Sequence, residues 1–361
     1  MTNVLVVTND FPPRPGGIQS FVHGLALRTP GVAVYAPAWP GCAEFDRRQP
    51  YRVVRHPGRL MLPTPAVARR AARLVAEHDA GTVVFGAAAP LGLLAPRLRA
   101  AGARRVVALT HGHEASWASA PLFRSALRRI GEHADVVTYL GEYTRARLAT
   151  VIPPEKLVRL APGVDVELFH PRAARMELGL GERPVVACVS RLVPRKGQDR
   201  LIRAWPEVLR VVPDAVLLLV GGGPHRRRLE RLAAGSPSIV FTGTVPAADL
   251  PGYYAAADVF VMPCRSRWGG VDVEGLGIVF LEAAASGLPV VAGDSGGAPE
   301  AVRHRESGLV VDGESTREVA AALIELLANP EQARKLGRAG REWITGEWSW
   351  EQVAARFHAL L

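Results

Sequence analysis

The stretch EGLGIVFLE (274–282) sets two carboxylates, Glu274 and Glu282, eight positions apart around two glycines and an apolar run. A carboxylate accepts paired hydrogen bonds from vicinal hydroxyls, the recognition chemistry of sugars. Gly275 and Gly277 permit a tight loop, and the pattern predicts a helix that begins near Gly277 and runs through residues 285–287. The backbone N–H groups of Leu276, Gly277 and Ile278 then face an anion at the helix N-terminus. Two sugars flanking a diphosphate account for both acids, with Glu274 on the transferred sugar and Glu282 on a ribose. The plainer alternative is a helix cap followed by one surface glutamate. The spacing alone does not support a catalytic acid/base pair.

Three further stretches carry candidate chemistry. In SRLVPRKG (190–197), Arg191, Arg195 and Lys196 cluster on one strand-to-helix connection. Arginine can hold two phosphate oxygens at once and lysine adds a point charge, so this turn is read as a phosphate site rather than a solvated basic loop. In PGGIQSF (15–21), Gly16 and Gly17 precede a helix expected from about Ile18. There they suit either a diphosphate contact or an ordinary strand-to-helix turn. In LTHGHEASW (109–117), His111, His113 and Glu114 crowd a loop directly after a strand. The HxH pair lacks further ligands nearby, so no metal site is expected. A role in hydrogen-bonding a sugar or polarising the reaction centre is preferred, the alternative for one of the two histidines being a structural role.

These stretches need a frame that places them side by side. Short β-rich runs alternate with amphipathic helical patterns: 4–8, 32–36, 51–55, 82–86, 105–110 and 135–140, then 184–190, 215–223, 238–243, 258–263, 288–293 and 308–311. Helical patterns fall between them, as at 197–211 and 316–328. Several strands are apolar throughout, as parallel strands covered on both faces must be. The fold class is α/β, two Rossmann-like doubly wound domains facing across a cleft. Residues 1–166 form the first domain and 167–346 the second. Residues 347–361 read as a further helix, which in folds that this one resembles packs back on the first domain, and the turn-rich segment 161–171 is the linker. In such sheets ligands bind beyond the carboxyl ends of the strands, where the four stretches above lie.

Composition bounds the rest. A chain of 361 residues, 48% hydrophobic and 22% charged, fits a globular α/β protein, with no apolar run long enough to span a bilayer. Its N-terminus, MTNVLVVTND, enters a strand directly without a leader pattern, and Cys42, Cys188 and Cys264 are widely spaced. Both features suit a cytosolic protein. The net charge of +10 lies wholly in residues 1–166, which hold 21 basic against 11 acidic side chains; the remainder holds 23 of each. An anionic partner for the first half is expected. Arg47, Arg48, Arg52, Arg55, Arg59, Arg69, Arg70 and Arg73 surround RLMLP (59–63), and LFRSALRRI (122–130) reads as a basic amphipathic helix. That face is expected on anionic lipid headgroups. A nucleic-acid binder is disfavoured, because interleaved aromatics and a recognition motif are missing.

The acids at 274 and 282 match the E-x7-E signature of retaining GT-B glycosyltransferases. SRLVPRKG, VGGGP, FTGTV, AAADVFVMP, EGLGIVFLEAAASGLPVVAG and SGGAPEAV resemble that family's motifs in their usual order, together with GG at 16–17 and HGHE at 111–114. Within the family, THGHE, DVVTYLGEYT, SRLVPRKGQD, MPCRSRWGGVDVEGLGIVFLEA and SGGAPE are most similar to the actinobacterial mannosyltransferases that use GDP-mannose and a phosphatidylinositol mannoside. The resemblance covers nearly the whole chain. It departs at RWGG (267–270), where a glycine triplet is the pattern. It implies that Gly17 approaches the donor diphosphate, that Arg191 and Lys196 bind it, and that His113 lies near the donor sugar. Glu274 then holds the sugar hydroxyls, Glu282 the ribose, and Thr244 and Val245 the base. It further implies transfer of a hexosyl unit with retention and without a metal or cofactor, domain closure onto the donor, an anionic inositol glycolipid acceptor, and attachment to the inner face of the cell membrane. A related transferase using a soluble acceptor or another nucleotide sugar is the alternative.

Overall fold

The structure, a computed structural model, describes residues 3–112, 114 and 121–361. The chain divides into two compact units, Met1–Gly163 with Trp350–Leu361, and Val164–Ser349. In the first unit, the strands β1 (Asn3–Val7), β2 (Val32–Pro37), β3 (Arg52–His56), β4 (Ala80–Phe85), β5 (Arg105–Ala108), β6 (Val136–Tyr139) and β7 (Leu157–Arg159) form a parallel sheet. Their order is β3-β2-β1-β4-β5-β6-β7. Alternate side chains leave opposite faces of each strand. Leu5, Val7, Tyr35, Val83 and Phe85 therefore pack in one core, and Val4, Val6, Val34, Val84 and Val107 in the other. Only β7 has no counterpart in the expected strands; LVR is too short to carry a pattern.

The second unit repeats the plan with β8 (Val185–Val189), β9 (Val216–Val220), β10 (Ile239–Gly243), β11 (Val259–Met262), β12 (Val290–Gly293) and β13 (Gly308–Val311). Its parallel order is β10-β9-β8-β11-β12-β13. Successive strands grow outward from β8 in one direction and then from β11 in the other. The reversal between these two neighbours is where ligands bind in sheets of this kind.

The helix Pro330–Glu347 ends the second unit, and a separate helix, Trp350–His358, belongs to the first. It completes the core that contains Val4 and Val6, burying Val353, Phe357 and Leu360. Trp350 seats against two glycines: a Cβ at Gly24 would lie 2.2 Å from its ring and one at Gly163 2.9 Å. The Arg28 guanidinium sits 4.6 Å from the ring centroid. A segment distant in sequence is thus a structural part of the first sheet's cover. Phe357→Ala should destabilise the first unit by ~3–4 kcal/mol, the cost of emptying a buried aromatic site. The check is the urea midpoint of that unit's transition, with the second unit's transition unmoved.

Candidate active site

The turns that follow β8 and β11 converge at the reversal point of the second sheet. After β8 the chain makes a single turn, Pro194–Lys196, and enters the helix Gln198–Val211 through Gly197. Gly197 has φ 75°, and a Cβ there would lie 1.8 Å from the Pro263 carbonyl oxygen, so only glycine lets the two turns touch. After β11 the chain runs through Arg267–Asp272, paired as a short antiparallel bridge, to Glu274 and the helix Ile278–Ala285. Gly277 caps that helix at φ 84°, and Phe280 occupies the space that a side chain would need. The glycines of SGGAP let a third turn press in: Gly297 N–H donates to the Glu274 carbonyl at 2.9 Å. Ser295, from the same turn, accepts from Glu274 N–H at 3.3 Å.

This packing brings Lys196 and Glu274 into a buried pair, Nζ to Oε2 at 2.6 Å, with the residues 8% and 6% exposed. The side chains expected on diphosphate and on sugar thus hold each other. Arg195 extends the network, with Nε 3.7 Å from Glu274 Oε2 and Nη1 4.0 Å from Asp272 Oδ1. Burial alone would raise the Glu274 carboxyl. Lys196 and then Arg195 overcome it and hold the group below the usual carboxylate range, ionised, with the Gly275 N–H adding to the effect. Arg191 is exposed at the rim of the same turn, and Gln198 donates to its carbonyl at 3.1 Å. Beneath them Asp199 is gripped by Arg203 and Arg265, each at 3.0 Å, and Arg265 also lies 3.4 Å from Glu314.

Glu282 lies in a different electrostatic setting. Its Oε2 accepts from the Tyr254 hydroxyl at 2.8 Å. No cation offsets its burial, which pushes the carboxyl up to about 7 despite that hydrogen bond. Tyr254 is fully buried; its ring lies 5.6 Å edge-on from Phe169 and 5.8 Å from Phe260, which meets Phe280 on the helix of Glu282. Sequence reasoning missed Tyr254 because it reads as an ordinary core position. Asp272, Arg265 and Ser295 were missed as partners as well. Thr244 lies next to the sheet's end, where a Cβ at Gly222 would meet its hydroxyl at 2.4 Å; Val245 follows it.

In the first unit, Gly16 precedes the helix Gly17–Leu27, and among the described residues nothing beyond its chain neighbours and its own helix backbone lies within 4 Å of where a Gly17 side chain would start. His111 is committed to the fold. Its Nε2 meets the Gly86 carbonyl at 2.5 Å, its ring stands edge-on to Phe21, and its backbone N–H donates to buried Glu114 at 2.8 Å. His113 lies outside the described residues. Several arginines of the basic stretch have partners within the unit. Arg55 is bound to Asp46 at 2.7 Å and to the Pro12 and Pro37 carbonyls. Arg52 and Arg70 share Glu77, and Arg48 pairs with Glu44. Leu127 and Ile130 of the helix Pro121–His133 are buried in their own unit's core, which is why that helix is amphipathic.

Two outcomes follow from these charges. Lys196→Met strands a buried carboxylate and should cost ~3 kcal/mol, moderated by Arg195, whereas Lys196→Met/Glu274→Leu should recover most of it; denaturant midpoints of the variants check this. The Glu282 carboxyl keeps its proton in the folded chain up to about pH 7 and loses it near the ordinary carboxylate range when unfolded. The folded state then binds more protons between these limits, so stability falls as pH rises from about 4.5 to about 7. Glu282→Gln should flatten that fall in denaturation midpoints measured across the range.

Comparison with known proteins fits this geometry into a family. Residues 172–343 match the model described as glycosyl transferases group 1, and residues 16–168 match glycosyltransferase family 4. The chain is 55% identical to the GDP-mannose-dependent alpha-(1-6)-phosphatidylinositol monomannoside mannosyltransferase of Mycolicibacterium smegmatis, over 99% of this chain and 98% of the relative. It is 46% identical to the GDP-mannose-dependent monoacylated alpha-(1-6)-phosphatidylinositol monomannoside mannosyltransferase of Corynebacterium glutamicum, over 99% and 97%. Sucrose-phosphate synthase from Thermosynechococcus elongatus superimposes with a TM-score of 0.82 at 23% identity, covering 100% of this chain and 98% of that one. That likeness shows the two-domain GT-B fold. The chain belongs to the glycosyltransferase family of which the phosphatidylinositol monomannoside mannosyltransferases are members.

Proposed function

We propose that this chain transfers a mannosyl unit from GDP-mannose to a phosphatidylinositol monomannoside with retained anomeric configuration. The observation that carries donor and acceptor is the full-length identity to relatives whose names state both. The buried pair supports the chemistry. The donor diphosphate draws Lys196 away from Glu274 and meets Arg191 and the free N–H groups of Leu276, Gly277 and Ile278. Glu274, released but still ionised, accepts the mannose hydroxyls. Glu282 takes the ribose diol, Thr244 and Val245 the base, and Gly17 approaches the diphosphate. His113 hydrogen-bonds the donor sugar. The departing diphosphate takes the acceptor's proton on the face where the new bond forms, and Lys196 and Arg191 stabilise its charge. No step calls for a metal.

The acceptor side rests on charge. The first unit's sequence carries 22 basic against 11 acidic side chains, and the second unit's 22 against 23. Among the described residues no helix is long and apolar enough to cross a membrane. With Arg48, Arg52, Arg55 and Arg70 engaged in ion pairs, the exposed cations of these stretches include Arg47, Arg59, Arg69, Arg73, Arg128 and Arg129, and Leu60, Leu62 and Phe123 are exposed as well. These are the groups for docking at the anionic inner face of the cell membrane. GDP release from GDP-mannose should rise when phosphatidylinositol monomannoside is added in anionic vesicles and should persist in excess chelator. Glu274→Ala should lower the stimulated rate by ~10²–10³ while flotation with the vesicles is kept. A rate insensitive to the lipid, or undiminished in the variant, would refute this reading.

A further inference from the structure

Trp268 is the most exposed large apolar side chain among the described residues, at 70%. Its backbone is also left-handed, φ 49°, followed by Gly269 at 63° and Gly270 at 89°. Three successive left-handed residues suit glycine, and a tryptophan among them meets the Cβ clash that glycine avoids. An indole this exposed returns little burial in exchange. Neither its conformation nor its exposure serves folding, so its place is to be sought in function.

The indole is held in position. The Arg267 guanidinium lies 4.6 Å from its ring centroid. Arg267 is fixed in turn by Asp272: backbone N–H to carbonyl at 2.9 Å, the return bond at 3.2 Å, and Nη1 to Oδ2 at 3.3 Å. Asp272 is the residue that Arg195 approaches at 4.0 Å, and Arg195 reaches Glu274 at 3.7 Å. The charges that set the Glu274 carboxylate therefore also set the tryptophan. The groups assigned to the donor sugar and diphosphate, Glu274 and Lys196, are buried, whereas Trp268 and its neighbour Val271 stand in solvent. The second sugar-like ring in the reaction belongs to the acceptor.

We propose that the open face of Trp268 is a stacking platform for the acceptor's cyclic polyol. Ring C–H groups polarised by their hydroxyls meet the negative face of the indole, and Arg267 braces the other side. The inference rests on the transferase reading and deepens it.

The test uses the full-length enzyme with GDP-mannose and two acceptors, vesicle-borne phosphatidylinositol monomannoside and its deacylated, water-soluble headgroup. Trp268→Gly and Trp268→Phe are compared with the native chain. Trp268→Gly should raise the KM for both acceptors about fivefold or more, the worth of a lost aromatic contact, with the KM for GDP-mannose held. Trp268→Phe should recover part of the loss. The thermal midpoint of Trp268→Gly should stay level or rise as the left-handed strain is relieved, which separates lost binding from lost folding. Unchanged acceptor KM values overturn the platform. So does a defect confined to the vesicle-borne acceptor and accompanied by lost flotation, which assigns Trp268 to membrane anchoring. If the native enzyme does not turn over GDP-mannose with either acceptor, the transferase reading itself fails.

Discussion

Lys196 and Glu274 meet at 2.6 Å in a place where neither charge has much water. Withdrawing two ions from solvent is costly, and an apolar pair of similar volume is often as stable or more so. The second unit nonetheless builds several glycine contacts around this pair. Gly197 closes on the Pro263 carbonyl, Gly293 on the Cys264 carbonyl, and Gly296 and Gly297 on the carbonyls of Glu274 and Gly275. A Cβ at any of these would separate the turns after β8, β11 and β12. The frame is therefore organised around holding one cation and one carboxylate in contact. A fold selected for stability alone has no need of such an arrangement. The role proposed for this site, uptake of a diphosphate and a polyol together, does.

The two acids of the signature have opposite electrostatic characters. Glu274 has Lys196 and Arg195 beside it and stays ionised, whereas Glu282 has only a tyrosine hydroxyl to offset burial, which pushes it up to about 7. Their spacing along one loop and helix does not reveal this. It follows from what lies across the sheet: β8 delivers the cations to Glu274, and the helix Leu250–Ala255 delivers Tyr254 to Glu282.

Much of the frame was legible because parallel strands covered on both faces must be apolar throughout, as in VLLLV and VFVM. The candidate loops were legible because glycine and charge cluster at strand ends. What could not be read was partnership. Nothing in SRLVPRKG states that Lys196 lies against Glu274, 78 residues away, rather than in solvent. Tyr254 looks like core because it is core, apart from one hydroxyl. Arg55 and Arg69 look alike in a basic stretch, yet Arg55 clamps Asp46 and two carbonyls while Arg69 is exposed. Residues 122–130 show the periodicity of a membrane-surface helix and of a helix on its own core alike, and burial of Leu127 and Ile130 shows that the apolar face packs on the core. His111, paired with His113 in sequence, turns its ring to the Gly86 carbonyl.

The most direct measurement is a crystal structure of the chain with GDP-mannose bound. The account requires Lys196 Nζ to have moved onto a diphosphate oxygen, at charge-assisted hydrogen-bond distance, with Glu274 accepting from mannose hydroxyls. A complex in which Lys196 and Glu274 remain paired while the diphosphate lies against other residues contradicts it.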